Sequence, residues 1–370
     1  MSLVLSGTSG VTFPDSSLQA AAASPYVLKN RIINGDMRID QRNAGASVTP
    51  TTDGQYTLDR WRCSMSASSK FSVQQQTSVI PTGFSYATKI TSLSAYTVGS
   101  GDYFSFDQMI EGYNVADLGF GTANSKTITI SFWVYSSLTG TFGASLMNSA
   151  SNRSYPFTYT ISSANTWTNI SVTIAGDTSG TWLTTNGTGL FLRFGLGVGT
   201  TYSGTAGTWA GTTYVSATGA TSVVGTNGAT WYVTGVQLEQ NTSATPFERR
   251  LYNQELANCQ RYFAKLGANP NGSASYQAYA SGSLNTTSQA NIALTFPQFM
   301  RASPTIAYSG TIGLSSAGAY SSLTTINGVY TGVSSSLMQV TSGVVGTTGG
   351  GVVLLSNADA TAFLSLTAEL

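Results

Sequence analysis

A period-two alternation of apolar and polar side chains recurs along the chain and restricts its fold more than any other feature. In residues 127–135, every second side chain is apolar: Ile128, Ile130, Phe132 and Val134. Three further stretches alternate in the same way: 169–174, 190–196 and 231–238. Gly, Asn and Ser turns separate them. Short alternating strands at close spacing predict an all-β protein whose main unit is a jelly-roll β-sandwich.

One stretch has helical periodicity instead. Apolar residues are spaced four and three apart at Tyr252, Leu256, Cys259, Phe263 and Leu266. This spacing predicts a helix over 251–266. Two interpretations stay open: the helix packs on its own sandwich, or it forms a short coiled segment that joins three copies of the chain.

Changes in pattern and charge predict four segments along the chain. Residues 1–25 form a short extended segment, and residues 26–250 form the jelly roll. Residues 251–266 form the connecting helix, and residues 267–370 form a second, C-terminal β-sandwich. That last segment has few charged side chains: Arg301, Asp359 and Glu369.

The charge content excludes several classes of partner. Only 8% of the 370 residues are charged, and the net charge is +1. Ordinary soluble domains have about 25%. Nucleic acid binding needs clustered Lys and Arg, so we expect no nucleic acid partner. No apolar run approaches the roughly 18 residues of a membrane span, so we expect no membrane insertion. The start, Met1–Gly7, lacks the positive region of a signal peptide, so we expect assembly in a cytoplasm.

The residue types give little support to catalysis. The chain has no histidine, which removes the usual general base and the commonest metal ligand. The best acidic cluster, Asp102, Asp107 and Glu111, is typical of a solvated turn rather than of a glycosidase pair. We therefore expect no enzyme activity, no cofactor and no metal. Whether Cys63 and Cys259 form a disulfide stays open.

Aromatic side chains are the better candidates for binding. The C–H faces of sugar rings stack on Trp and Tyr, and Asn, Gln, Ser and Thr pair with sugar hydroxyls. Trp167 and Trp182 are possible platforms, although most such residues in a sandwich belong to the core. Four residues are singled out as candidate glycan contacts, the last two because they lie in a long polar loop: Trp133, Tyr135, Trp209 and Tyr214.

Charged residues concentrate between residues 31 and 62 of a chain that has few of them. Arg–Asp pairs of this kind give geometric specificity. We predict that they form an ion-pair network, within or between subunits, that sets the register of a trimer contact or seats the N-terminal segment. Its predicted members are Arg31, Asp36, Arg38, Asp40, Arg42, Asp59 and Arg60.

Three groups of motifs resemble phage and prophage tail-fibre or receptor-binding tail proteins. The first is Gly7–Asp15, followed by Gln19 and an Ala run. The second is Asn30–Asn43, followed by Leu58-Asp59-Arg60-Trp61, and the third runs in pieces from Thr234 to Phe263. The interior, notably residues 130–134 and 176–182, is similar to jelly rolls of carbohydrate-binding modules. The resemblance covers about residues 1–265.

The resemblance implies a non-enzymatic homotrimer in a virion tail. Residues 1–25 would attach to other tail proteins, and residues 267–370 would meet the host. The ligand would be a host surface polysaccharide, with lipopolysaccharide as the leading hypothesis. Two alternatives stay open: an internal tail or baseplate protein that holds its neighbours, and a polysaccharide depolymerase.

Overall fold

A computed structural model describes residues 28–267 and 276–370, together with the backbone of three short strands before them. These are β1 (Val4–Ser6), β2 (Gly10–Thr12) and β3 (Leu18–Gln19), which form an antiparallel sheet in the order β1-β2-β3. The rest of the predicted attachment segment, residues 1–25, lies outside the described residues.

The prediction of an all-β fold with a jelly-roll sandwich is confirmed. The unit comprises strands β4 (Gln55–Leu58), β5 (Trp61–Met65), β6 (Phe71–Gln76), β7 (Ala87–Ser92), β8 (Tyr103–Glu111), β9 (Ile128–Ser136), β10 (Gly140–Met147), β11 (Ser154–Ile161), β12 (Thr168–Ile174), β13 (Thr188–Val198), β14 (Ser203–Gly204), β15 (Ser216–Ala217) and β16 (Thr230–Glu239). Two 3-10 turns, Gly112–Asn114 and Ala116–Leu118, follow β8.

Two antiparallel sheets face each other. Sheet A has the order β11-β10-β13-β8-β5-β4, and sheet B has the order β12-β9-β16-β7-β6. The short strands β14 and β15 pair in parallel in the loop after β13. The chain passes repeatedly between the two sheets, so each sheet combines strands that are distant in sequence.

Alternation explains the core between the sheets. Ile128, Ile130 and Phe132 of β9 are fully buried, as the sequence pattern predicts. The Phe132 ring of sheet B lies 5.0 Å from the Phe194 ring of sheet A. Trp61 stacks on Phe106 with ring centroids 5.0 Å apart. Burial of large apolar side chains stabilises the sandwich by about 25 cal/mol per Å² of apolar surface.

The helix is shorter than the sequence pattern predicts. Helix α1 (Tyr252–Gln260) ends before Phe263, and residues Phe263–Gly267 form strand β17. The prediction of helix through residue 266 is therefore wrong, because residues 263–267 pair with a strand that lies about a hundred residues later, Phe363–Thr367. Buried Cys259 contacts Ile33 and Tyr262, so the helix packs on its own sandwich.

The C-terminal unit is all-β as predicted, but its strands close into a barrel rather than a second sandwich. Its strands are β18 (Ala278–Leu284), β19 (Gln289–Thr295), β20 (Thr305–Ser309), β21 (Ile312–Ser316), β22 (Ala319–Thr331), β23 (Ser335–Ser342), β24 (Gly351–Ser356) and β25 (Phe363–Thr367). The barrel order is β18-β19-β23-β22-β21-β24, and β17-β25-β20 form a small sheet beside it. Pairing of β18 with β24 closes the barrel and removes the two open edges.

Within the two described ranges, no helix combines the length and the apolar character that crossing a membrane requires.

Candidate functional site

The outer face of sheet B carries a cluster of aromatic rings. Strand β9 alternates, so Phe132 and Val134 point into the core while Trp133 and Tyr135 point outward. Tyr135 lies opposite Tyr232 of β16, with ring centroids 4.9 Å apart. Trp167, directly before β12, lies 5.5 Å from Tyr135 and 6.3 Å from Tyr232. We call Tyr135, Trp167 and Tyr232 the aromatic trio.

Several polar atoms on this face have no protein partner. Within the described part of the chain, the indole N–H of Trp167 finds no acceptor. The indole N–H of neighbouring Trp133 and the hydroxyl of Tyr135 make no hydrogen bond to any described residue either. Burial raises the pKa of Tyr232 above its ordinary value, so its hydroxyl stays protonated at neutral pH. The face therefore carries partly exposed rings of Trp133, Tyr135 and Trp167 beside the nearly buried Tyr232, and the unpaired indole N–H of Trp167 is itself buried.

A groove of about 690 Å³ borders the aromatic trio at Tyr232. Strand register places Lys89 of β7 beside Tyr232, and Gln74 of β6 beside Lys89. None of the described residues that line the groove carries a carboxylate. The lining is polar and nearly neutral: Ala44, Gly45, Gln74, Gln75, Gln76, Thr77, Ser78, Val79, Tyr86, Lys89 and Tyr232.

Trp209, a predicted glycan contact, lies elsewhere and packs among other rings. Its ring centroid is 5.1 Å from Tyr155, 5.5 Å from Trp182 and 5.9 Å from Phe120. Its indole N–H donates to the carbonyl of Ala175 at 2.8 Å. These contacts fix the loop after β13 against sheet A. Trp209 thus has its faces and its N–H engaged by the protein, and its glycan contact stays a prediction.

Tyr214, the other predicted loop contact, packs against the backbone of Gly204. Its ring covers Gly204, where a Cβ atom would lie 2.3 Å from Tyr214 Cδ2. A side chain at position 204 would displace the ring, so this close approach needs glycine. Of the four predicted contacts, only Trp133 and Tyr135 share the outer face of sheet B.

The predicted ion-pair network is divided into separate contacts. Arg31 pairs with Asp117 at 2.5 Å, and Arg38 pairs with Asp36 at 3.2 Å. Asp40 makes no ion pair among the described residues, and its carboxylate accepts the backbone N–H groups of Asn43 and Gly45. Burial raises the pKa values of Asp36 and Asp40 above their ordinary range. No contact here tests a trimer role, which stays a prediction.

The remaining members meet a partner from the far end of the chain. Arg42 lies 3.7 Å from Asp59 and 2.8 Å from Glu369. Arg60 is buried, pairs with Glu369 as well, and its guanidinium lies 3.6 Å above the Tyr262 ring. Burial raises the pKa of Asp59 to about 7, because the surroundings oppose its charge more than Arg42 and Gln41 stabilise it. The spacing of residues in the sequence does not predict Glu369 as a partner of Arg42 and Arg60.

The acidic cluster does not come together as one site. Asp102 accepts hydrogen bonds in an exposed turn. Asp107 and Glu111 lie on β8 and are buried, so the expectation of a solvated turn is wrong for both. Glu111 instead accepts two hydrogen bonds from the Arg261 guanidinium and one from the Tyr262 hydroxyl. The two cysteines, Cys63 and Cys259, are both buried free thiols.

Sequence reasoning did not find Tyr232, Lys89 or Gln74 as site residues. A signal existed for Tyr232, because alternation along 231–238 places it on the face opposite the buried Trp231 and Val233. No local signal brings Lys89 and Gln74 beside it, since strand order decides that. In the described ranges, no group of three or more His, Cys, Asp or Glu side chains could hold a metal ion.

Comparison with known proteins gives structural similarities alone. No protein-family model and no curated protein matches the chain. The chain is similar to the enzymatically active domain of a tailspike protein of bacteriophage CBA120, with 11% identity and a TM-score of 0.32. That match covers 58% of this chain but only 22% of the tailspike chain.

The chain is also similar to two further solved structures. One is described as a putative sugar binding protein from Bacteroides thetaiotaomicron, with 11% identity, a TM-score of 0.35, and coverage of 58% of this chain and 100% of that chain. The other is a family 11 carbohydrate-binding module from Clostridium thermocellum in complex with a tetrasaccharide, with 10% identity, a TM-score of 0.27, and coverage of 53% and 97%. All three TM-scores lie below 0.5. The fold assignment therefore rests on the strand topology of the chain itself.

Proposed function

We propose that the chain binds a neutral segment of a surface glycan, without catalysis, on the outer face of sheet B. The observation that carries the proposal is the aromatic trio with its unpaired indole N–H, beside a groove lined by amides and hydroxyls. The partly exposed rings suit the C–H faces of sugars, and the unpaired donors of Trp133 and Tyr135 together with the glutamines of the groove suit their hydroxyls. The absence of carboxylates among the described lining residues favours binding over glycoside cleavage.

We further propose that this binding serves a phage tail fibre that attaches the virion to host lipopolysaccharide. The motifs in residues 7–15, 30–43 and 234–263 that resemble phage tail proteins support this assignment. In a homotrimer, three weak glycan sites would act together and raise the overall affinity well above that of one site.

Glycan binding is tested with immobilised host lipopolysaccharide and the variants Trp167→Ala and Tyr135→Ala. We expect each variant to lose affinity by about tenfold, equivalent to about 1.4 kcal/mol. Tyr113→Ala is the matched control, because Tyr113 is an exposed tyrosine on a 3-10 turn outside this face. Equal affinity of all four proteins would contradict the proposal.

The tail role has its own tests. Light scattering should give the mass of a trimer, and a monomer would contradict the fibre assignment. Release of reducing ends from host polysaccharide would instead identify a depolymerase. If the protein lies inside the tail of a reconstructed virion and binds no glycan, it is the internal structural component.

A further inference from the structure

A second pocket lies on the outer face of sheet A, away from the aromatic trio. It has a volume of about 190 Å³, small beside a typical site for a drug-sized ligand. Strands β5 and β13 supply Arg62 and Arg193, which flank Asp107 of β8 in register. The lining residues are Asp53, Arg62, Ser64, Tyr103, Arg193, Tyr202, Thr213 and Val215.

The two guanidiniums in this pocket lack hydrogen-bond partners. The side chain of Arg62 is 16% exposed, and that of Arg193 is 11% exposed. Neither donates a hydrogen bond to any residue in the described ranges, and the Nε atoms of both are buried without an acceptor. Arg193 as a whole residue is only 9% exposed. Buried donors are normally paired, so donors left free at a pocket indicate a place for a ligand acceptor.

Asp107 does not satisfy these donors. Its Oδ2 lies 3.9 Å from the Arg62 Nη2 atom and 3.6 Å from the Arg193 Nε atom, and it accepts the Ser64 hydroxyl at 2.6 Å. Its Oδ1 has no partner among the described residues. Two largely buried guanidiniums thus face one buried carboxylate, and the second carboxylate of the pocket, that of Asp53, lies at its exposed rim. An anionic group in the pocket would accept the hydrogen bonds that neither carboxylate takes from the two arginines.

The walls of the pocket offer contacts for an apolar ring face and for hydroxyl groups in addition to an anion. The rings of Tyr103 and Tyr202 meet edge to face, with centroids 5.3 Å apart, and form an aromatic wall. Asp53 at the exposed rim receives the backbone N–H of Met65 and the Tyr103 hydroxyl on different oxygens, and can accept ligand hydroxyls as well. A carboxylate, ring C–H groups and hydroxyls occur together in acidic sugars.

We propose that this pocket binds one carboxylated sugar residue, with its carboxylate between Arg62 and Arg193. Tyr202 packs against the sugar ring, and Asp53 accepts its hydroxyls. This site goes beyond the proposed neutral-glycan face and does not depend on it.

The test is calorimetric titration of the full chain with methyl glucuronide, methyl glucoside, acetate and inorganic phosphate. We expect saturable binding of methyl glucuronide, at least about tenfold tighter than that of the other three compounds. Absence of saturable glucuronide binding, or equal binding of the glucoside, would overturn the proposal. If acetate or phosphate binds as tightly as the glucuronide, the pocket holds a simple anion and the sugar assignment is wrong.

Variants assign the binding to this pocket. Arg193→Gln and Arg62→Gln should each weaken glucuronide binding at least about tenfold. Tyr202→Ala should also weaken glucuronide binding. Because this change leaves every buried charge in place, it still tests the pocket if an arginine variant fails to fold. Lys126→Gln, which removes an exposed positive charge outside the pocket lining, should bind glucuronide like the unmodified protein. Unchanged binding in Arg193→Gln and Tyr202→Ala would overturn the assignment.

Discussion

Asn34 illustrates how one polar side chain organises a segment with little regular secondary structure. Its Nδ2 donates to the carbonyls of Ile39 and Asp59, and its Oδ1 accepts the Ile39 N–H. Its backbone φ of 59° lies in the left-handed region, which asparagine tolerates better than most residues. The sequence Asn34-Gly35-Asp36 predicts a turn. It does not predict the partners of Asn34, because these depend on where the later residues Ile39 and Asp59 lie in the folded chain.

Asp59 gives a prediction at the same scale. Its pKa in the folded protein, about 7, lies above the ordinary value of 3.8, so the folded state holds the proton more tightly than the unfolded state. The resulting stabilisation is complete below about pH 4 and is lost as the pH rises through about 7. Asn cannot ionise and can still accept the hydrogen bond from Gln41.

The unfolding free energy of the unmodified protein should therefore fall relative to that of Asp59→Asn between pH 4 and 8. Urea denaturation at several pH values measures this difference, and the contribution from Asp36 cancels in it. Parallel profiles for the two proteins would show that Asp59 ionises normally.

At the scale of elements, the sequence predicts where strands form, but it does not predict whether a sheet closes into a barrel. Alternation in residues 127–135 correctly predicts β9, because the two faces of a strand have different surroundings. Alternation in the C-terminal unit is equally clear, yet it does not distinguish a sandwich from a barrel. The difference lies in whether the first and last barrel strands, β18 and β24, pair with each other.

The barrel depends on a close backbone approach at Gly282 of β18. A Cβ atom there would lie 1.9 Å from the carbonyl oxygen of Asn291 on β19. Gly282→Ala should therefore cost at least about 2 kcal/mol of unfolding free energy, since backbone must move to accommodate the methyl group. The matched control is Gly351→Ala on neighbouring β24, where nothing lies within 4 Å. It should change stability by less than about 1 kcal/mol.

Chemical denaturation with a probe in the barrel measures both glycine variants. Comparable losses for the two would mean that strand flexibility, and not the approach to Asn291, requires glycine.

At the scale of the whole molecule, a few long-range ionic contacts connect the barrel side of the chain to the jelly roll. Glu369, two residues after β25, pairs with buried Arg60 and with Arg42. The motif around Arg60 is recognisable in sequence, whereas its partner is a lone Glu in an almost uncharged segment. The same contrast holds for the candidate site. The outward positions of Trp133 and Tyr135 can be predicted from the local alternation of β9. The pocket of Arg62, Asp107 and Arg193 requires the order of three strands that are distant in sequence.

Removal of this carboxylate should have a large effect. Glu369→Ala leaves the Arg60 charge buried without its ionic partner, which costs about 3–5 kcal/mol. Asp117→Ala breaks the ion pair with Arg31, in which Asp117 is 52% exposed, and should cost less than about 1 kcal/mol. Equilibrium unfolding of both variants tests the contrast. Similar small costs would show that water or another group compensates Arg60.

The pairing of Arg60 with Glu369 also has a consequence for biosynthesis. The two residues are separated by 309 positions. At a synthesis rate of about 5–20 residues per second, Arg60 leaves the ribosome roughly 15–60 s before its partner is made. During that interval the nascent jelly roll lacks the carboxylate that neutralises its most deeply buried guanidinium. The jelly roll therefore acquires its full set of ion pairs only after residue 369 has been made.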